Sequence, residues 1–262
     1  MIPKIVLGLF IISTLIQIAY WIIMFVKLSH RTPFPEKKCK HPVTTIICAR
    51  NEAENLNKNL HRILNQNYHL HRLLLVNDNS TDTTPEVLLN IQKNHKTFTL
   101  VNAEKTPEGM PGKKAALTQG IENADTDVLL MTDADCYPAS ADWAEIMQSQ
   151  MDEKTEIILG FSPYNKQKGW LNKLIRFDTV MIAMQYFTMA LAGMPYMGVG
   201  RNMAYRKSLF AKTGGFEKHK SIASGDDDLF IQQAATATNT KICLDISSST
   251  SSSTPSSCTQ KK

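Results

Sequence analysis

Asp133 and Asp135 stand two residues apart with a small alanine between them. Positions two apart in an extended segment project to the same side. Two hard carboxylate oxygens can therefore approach one hard cation, Mg2+ or Mn2+, which favours a few carboxylates completed by substrate phosphate oxygens and water. Taken alone, such a pair is common and reads first as a solvated acidic turn; its position after a buried strand favours the cation site. Asp78, in Val76-Asn77-Asp78-Asn79-Ser80, can accept hydrogen bonds from a base or a ribose, or can cap the helix that follows. Glu52, in Ala49-Arg50-Asn51-Glu52, carries the same two readings. Gly109-Met110-Pro111-Gly112-Lys113-Lys114 precedes a helix. Glycines allow close backbone approach, a helix N-terminus favours anions, and a lysine adds a point charge for phosphate. The P-loop spacing is absent, and Lys114 reads equally as a solvated side chain. Gly225-Asp226-Asp227-Asp228-Leu229 sets three carboxylates in succession. Their repulsion is costly unless a cation, a proton or solvent relieves it, so the run is either a solvated loop or the source of a general base with raised proton affinity.

The segments between these residues alternate. Val43–Cys48 is a short β-rich run, and Ala53–Gln66 places Leu56, Leu60, Ile63 and Leu64 on one helical face. Leu73–Val76 is a second apolar strand, and Ser80-Thr81-Asp82 supplies capping residues before a helix carrying Val87, Leu88 and Ile91. Phe98–Val101, Val128–Met131 and Ile157–Phe161 read as three more strands, with a helix from Lys113 to Glu122 among them. Alternation of this kind predicts an α/β fold, a mostly parallel sheet flanked by helices. Runs such as LLLV and VLLM suit a sheet buried on both faces. Ligands in such sheets bind beyond the carboxyl ends of the strands, and Glu52, Asp78 and the Asp133/Asp135 pair each follow one of these strands.

Residues 170–200 differ, being rich in Met, Phe, Tyr and Leu, with Arg176 and Asp178 near the start. They read as a core helix or as an amphipathic helix lying on a membrane surface. Residues 246–262 form a segment in which Ser247 to Ser257 are only Ser, Thr and Pro. Such a composition offers no apolar surface to bury, which predicts a disordered or aberrant tail.

Ile5 to Val26 contains no charged residue. As a helix it would be roughly 33 Å long, against about 30 Å of bilayer hydrocarbon. It exceeds the apolar core of a signal peptide, and no small-x-small cleavage site follows. Residues 1–30 therefore read as a single-pass transmembrane anchor, and 31–41, with Pro33, Pro35 and a lysine cluster, as a basic linker. Lys27, Arg31, Lys37, Lys38 and Lys40 follow the span and only Lys4 precedes it. The positive-inside bias then puts residues 42–245 in the cytoplasm, at the inner face of the cell membrane.

The 262 residues carry 29 Lys+Arg against 24 Asp+Glu and are 43% apolar. That composition excludes wholesale disorder and collagen-like repeats. The mild surplus of +5, without a basic run interleaved with aromatics, does not point to nucleic acid. Five scattered cysteines with no C-x-x-C pair argue against a zinc site or a disulfide framework.

Taken in order, these segments resemble a family 2 glycosyltransferase with a GT-A, Rossmann-like fold, from about Pro42 to Asp245. The resemblance rests on Ala49-Arg50-Asn51-Glu52, Val76-Asn77-Asp78-Asn79-Ser80-Thr81-Asp82, Gly112-Lys113-Lys114-Ala115-Ala116-Leu117, Asp133-Ala134-Asp135, Gly200-Arg201-Asn202-Met203-Ala204-Tyr205-Arg206 and Gly225-Asp226-Asp227-Asp228-Leu229. It implies that Ala49, Glu52 and Asp78 hold the uridine part of a nucleotide sugar, with Lys113 near the nucleotide. Asp133 and Asp135 would bind the nucleotide and, through Mn2+ or Mg2+, its diphosphate. Asp226 would be the base, with Asp227 the fallback. Asn77 replaces the first acid of the usual Asp-Asp pair, leaving Asp78 the main contact. The implied reaction is an inverting transfer from a UDP-sugar to a hydroxyl of a lipid-linked or glycan acceptor. Many processive members carry Q-x-x-R-W after the base, and here only Gln260-Lys261-Lys262 is reached. A second reading is therefore a truncated, inactive nucleotide-binding membrane protein. A nucleotidylyltransferase ranks last, because its Gly-rich N-terminal loop is missing.

Overall fold

The computed structural model describes residues 2–29, 40–95, 98–104, 110, 112–222 and 224–252. Most of the linker read at 31–41, together with Gly109, Pro111 and residues 253–262, lies outside the described residues.

A long first helix, α1 (Ile2–Ser29), precedes the α/β body. Its segment Pro3–Met24 is long and apolar enough to cross a membrane, and its side chains are exposed along nearly the whole length. Near the C-terminal end, Met24 is buried and Leu28 packs on the main core.

The body then follows the predicted alternation: β1 (Val43–Ala49), α2 (Ala53–Leu64), β2 (His71–Asn77), α3 (Thr84–Asn94), β3 (Phe98–Asn102), α4 (Gly112–Asn123) and β4 (Val128–Met131). These four strands are parallel, in the order β3-β2-β1-β4. Leu56, Leu60 and Ile63 are buried on α2, one per turn, as their spacing requires. On α4, Gly120 lies so close to the sheet that an added Cβ would stand 2.8 Å from Val76 and 3.0 Å from Ile46.

The second half reads less regularly. It holds β5 (Cys136–Pro138), α5 (Trp143–Ser149), β6 (Ile157–Leu159), α6 (Trp170–Leu191), β7 (Met203–Arg206), α7 (Lys207–Thr213), α8 (Asp228–Ala234), β8 (Thr240–Ile242) and β9 (Thr250–Ser252). β7 runs antiparallel to β4 and to β6, while β8 runs parallel to β6, closing a seven-stranded sheet with one reversed strand. The sheet is mostly parallel, as predicted. Helix α6 is a core helix along its inner side only. Ala183, Tyr186 and Phe187 enter the core, while Trp170, Leu171, Leu174 and Phe177 face outward.

The expectation of disorder from residue 246 does not hold for 246–252. A 3-10 turn at Ile246–Ser248 leads into β9, which pairs antiparallel with β5. Ser248, Thr250 and Ser252 are buried. The hydroxyls supply what apolar side chains do not. Ser248 Oγ donates to Asp245 O at 2.7 Å and Thr250 Oγ1 to Arg201 O at 2.7 Å. Small, fully hydrogen-bonded side chains close-pack without penalty. Asn202 ties this segment to the body. It accepts from Trp143 Nε1 at 3.0 Å and donates to Phe161 O and Ser248 O at 2.7 and 2.8 Å. Asn202→Ala would strand one buried donor and two acceptors, so it should lower unfolding stability by about 3 kcal/mol, measured by urea denaturation. A loss well under 1 kcal/mol would show that water replaces the amide.

Candidate active site

The carboxyl ends of β1, β2 and β4 converge on one cleft of about 360 Å³. Ala49, Glu52, Asp78, Lys113, Asp133 and Asp135 all line it, beside Cys48, Arg50, Gly112 and Ala134. Every donor-side and metal-side residue expected from the sequence is thus in the same place.

Each is held by its own element. Asn51 takes a left-handed conformation, φ 58°, which a short amide side chain tolerates. Its Oδ1 accepts from the backbone N–H of Thr81 at 2.8 Å and of Asp82 at 3.3 Å, fastening the β1 loop to the β2 loop. Glu52 donates its backbone N–H to the buried Thr84 Oγ1 at 2.9 Å and accepts from Asn55 Nδ2 at 2.6 Å. Asp78 is buried, and its backbone N–H donates to Ala49 O at 2.8 Å. A Cβ on Gly112 would come within 3.3 Å of Asp78 Oδ2, so the α4 N-terminus closes directly onto that carboxylate. Asn77 is used internally. It donates to Asn102 Oδ1 at 3.0 Å and accepts from Ser80 N–H at 3.2 Å.

Asp226 joins the cleft through Lys113. The Lys113 ammonium is 3.2 Å from Asp226 Oδ2 and 3.5 Å from Asp133 Oδ1. Burial alone would favour its neutral form, but Asp133 and Asp226 outweigh it and raise its proton affinity. Asp133 is pushed up chiefly by burial, against the pull of Lys113 and with the push of Asp135. Asp227 is turned elsewhere. It accepts from Gly200 N–H at 2.8 Å and from Asp228 N–H at 2.9 Å, capping α8. Burial pushes the Cys48 thiol up to about 12, so it stays protonated at the cleft wall.

Asp135 Oδ2 accepts from Ser252 Oγ at 2.6 Å, a contact from the segment expected to be disordered. Among the described residues no group of three or more His, Cys, Asp or Glu is placed to hold a metal. Asp133 and Asp135 both line the cleft, and two carboxylates are the hard oxygen donors that suit a hard cation.

Lys114 was open as a solvated side chain; it is almost fully buried. Its ammonium donates to the carbonyls of His219 and Ile222 at 2.9 Å each and of Ser224 at 3.2 Å. Three donors meet three acceptors, and the loop entering Asp226 is pinned to α4. No sequence signal marked this role beyond adjacency to Lys113.

The family model for glycosyl transferase family 2 matches residues 44–214, well over half of the chain. The chain belongs to glycosyl transferase family 2. Family relatives include the probable glycosyltransferase YdaM of Bacillus subtilis, 29% identical over 72% of this chain and 46% of its own length. The poly-beta-1,6-N-acetyl-D-glucosamine synthase of Staphylococcus aureus is 31% identical over 50% of this chain and 31% of its own length. The chain spans about half the length of the curated relatives it matches, or less. In fold it is similar to the mannosyltransferase PcManGT of Pyrobaculum calidifontis, solved with GDP-Man and Mn2+, with TM-score 0.68 and 19% identity over 91% of this chain and 65% of that one. It is also similar to S. aureus TarS 1-349 in complex with UDP-GlcNAc, with TM-score 0.59 and 15% identity over 82% and 59%. The fold of this family member is accordingly GT-A.

Two expectations follow for the acidic run and its clamp. Burial, then Asp227, pushes Asp228 up to about 6, and its Oδ1 is buried with no hydrogen-bond partner among the described residues. A carboxyl with raised folded-state proton affinity stabilises fully below the unfolded aspartate range and loses that contribution as pH rises through about 6. Asp228→Asn should therefore gain stability over the wild type between pH 4.5 and 7.5, by about 1 kcal/mol after solvent screening. Thermal melts across that range test it; a constant difference refutes it. Lys114→Met should cost about 3 kcal/mol by stranding three carbonyls, and hydrogen exchange should rise in 219–224 before the sheet is affected.

Proposed function

We propose that this chain is an inverting glycosyltransferase that moves a sugar from a nucleotide-diphosphate donor, a UDP-sugar, to a hydroxyl of a lipid-linked or glycan acceptor. The observation that carries it is the convergence of Ala49, Glu52, Asp78, Lys113, Asp133 and Asp135 on one cleft, with Asp226 tied to it through Lys113. Family membership supports the reaction class. The nucleotide sugars bound by PcManGT and TarS, GDP-Man and UDP-GlcNAc, support the donor class.

In this reading Ala49, Glu52 and Asp78 hold the nucleoside, with Gly112 leaving room at Asp78. Asp133 and Asp135 would hold a divalent cation, Mn2+ or Mg2+, which when bound supplies positive charge to the departing diphosphate. Asp226 accepts the proton of the acceptor hydroxyl as that oxygen attacks the anomeric carbon from the side opposite the diphosphate. The bond to the diphosphate oxygen breaks as the new glycosidic bond forms, and one displacement inverts the centre. Lys113, 3.2 Å from Asp226 Oδ2, holds that carboxylate at the edge of the cleft. Asp227, occupied by Gly200 and the α8 cap, positions rather than reacts.

We also place α1 across the cell membrane, with the catalytic domain cytoplasmic. The span Pro3–Met24 supports this by length and apolarity, and the cations from Lys27 onward support the orientation.

Calorimetry on the detergent-solubilised full chain should show UDP binding tightened by Mn2+, and Asp135→Ala should remove the metal effect. Asp226→Asn should bind UDP within about three-fold of wild type yet lose at least about 100-fold in transfer. Metal-independent binding unchanged in Asp135→Ala would overturn the cation site. Undiminished transfer by Asp226→Asn would overturn the base. UDP binding without transfer by the wild type in its native membranes would favour the inactive reading.

A further inference from the structure

Helix α6 is held firmly on its inner side. Ala183, Tyr186 and Phe187 are buried in the main core, and Asn172 fixes the helix entry by accepting from Gln167 N–H at 2.8 Å and donating to Asn165 O at 3.0 Å. The outer side is apolar and uncovered. Trp170 is 78% exposed, Leu171 67% and Phe177 63%, with Leu174 and Val180 beside them. Trp170, Leu174 and Phe177 recur at helical spacing, so they form one stripe rather than scattered residues. An exposed stripe of large side chains on a well-anchored helix marks an interaction surface.

Charge narrows the occupant. Between residues 166 and 191 stand four cations, Lys166, Lys168, Lys173 and Arg176, against one carboxylate, Asp178. Lysine and arginine flanking Trp, Phe and Leu suit an anionic headgroup layer, where apolar rings enter the acyl boundary and the cations meet phosphate. Position narrows it further. The stripe adjoins an apolar groove of about 490 Å³ whose walls include Leu28 at the end of α1, Arg176 and Val180 of α6, and Ile246, which is 84% exposed. The outer face of α6 is thus continuous with the end of the helix that has membrane length.

We propose that the outer face of α6 is a second membrane contact, lying in the headgroup layer of an anionic phospholipid surface beside α1. This rests on the reading of α1 as a transmembrane helix. The chain leaving α6 runs on to Gly200, whose N–H donates to Asp227. Seating α6 on the bilayer therefore orients the acidic run, and Asp226 with it, relative to the membrane.

The test uses tryptophan fluorescence of the full chain in phosphatidylcholine vesicles with or without phosphatidylglycerol, the lipids brominated near either end of the acyl chain. Trp143 is fully buried and serves as the constant background. The signal lost in Trp170→Phe is expected to be blue-shifted and quenched about two-fold more by bromines near the headgroup than by deep ones. Lys173→Gln with Arg176→Gln should weaken that quenching in phosphatidylglycerol vesicles towards the phosphatidylcholine level. The signal lost in Trp21→Phe reports on α1 separately. Quenching of Trp21 with Trp170 left water-exposed would overturn the α6 contact while sparing the anchor. Absence of Trp21 quenching would overturn the anchor. A Trp170 signal unquenched by lipid but shielded as protein concentration rises would assign the face to a second copy and overturn the proposal. Quenching of Trp170 indifferent to phosphatidylglycerol and to the charge substitutions would overturn its anionic character.

Discussion

The Lys113 ammonium, set between Asp133 and Asp226, is the interaction on which the cleft depends. Asp133 comes from the end of a parallel strand, Asp226 from the loop before α8, and Lys113 from the first turn of α4. Two acidic side chains drawn into one partly buried space repel one another, and a single cation placed between them makes the arrangement tolerable. The same burial that would discharge an isolated lysine is overridden here by its two neighbours. The ion pairs are partly open to solvent, so their value lies in placement more than in stability. They bring the strand-end half of the cleft and the α8 half to a common point.

Placement of that kind requires rigid support, and the supports are polar and largely backbone-directed. Asn51 fastens the first two strand-end loops together through a left-handed turn. Lys114 grips three carbonyls of the loop leading to Asp226, while its neighbour Lys113 reaches the carboxylate itself. Consecutive residues at the start of one helix thus hold the loop from the inside and meet its charge from the cleft side. Asn202 performs the equivalent service on the far side of the sheet, joining α5, the end of β6 and the serine segment.

The first half of the fold was legible because its strands are continuous apolar runs and its helices carry one apolar residue per turn. Val128–Met131 coincides with its predicted strand, and the buried Leu56, Leu60 and Ile63 are those the periodicity picked out. The strand-end side of the cleft was legible for a related reason, since Glu52, Asp78 and Asp133 follow buried strands whose carboxyl ends meet at one edge. The second half was not. Strands β5, β8 and β9 are three residues each, too short for a period to show. The serine segment was misread because composition measures apolar burial and is blind to hydroxyls that satisfy one another. Lys114 was missed because a buried lysine paired with carbonyls, not carboxylates, leaves no charge pattern along the chain.

The misread segment bears on the chemistry. Asp133 shares its charge with Lys113, whereas the partners seen at Asp135 are neutral, Ser252 Oγ at 2.6 Å and the Cys136 thiol at 3.4 Å. A hydroxyl fixes a carboxylate's orientation without cancelling its charge. Of the two aspartates, Asp135 is the one held by neutral donors, and the element that carries its hydroxyl partner is β9, paired with β5 immediately beyond the aspartates. The serine segment thus supports a cleft residue from behind, which ties the orientation of Asp135 to a strand that forms only when the chain returns to a point it left more than a hundred residues earlier.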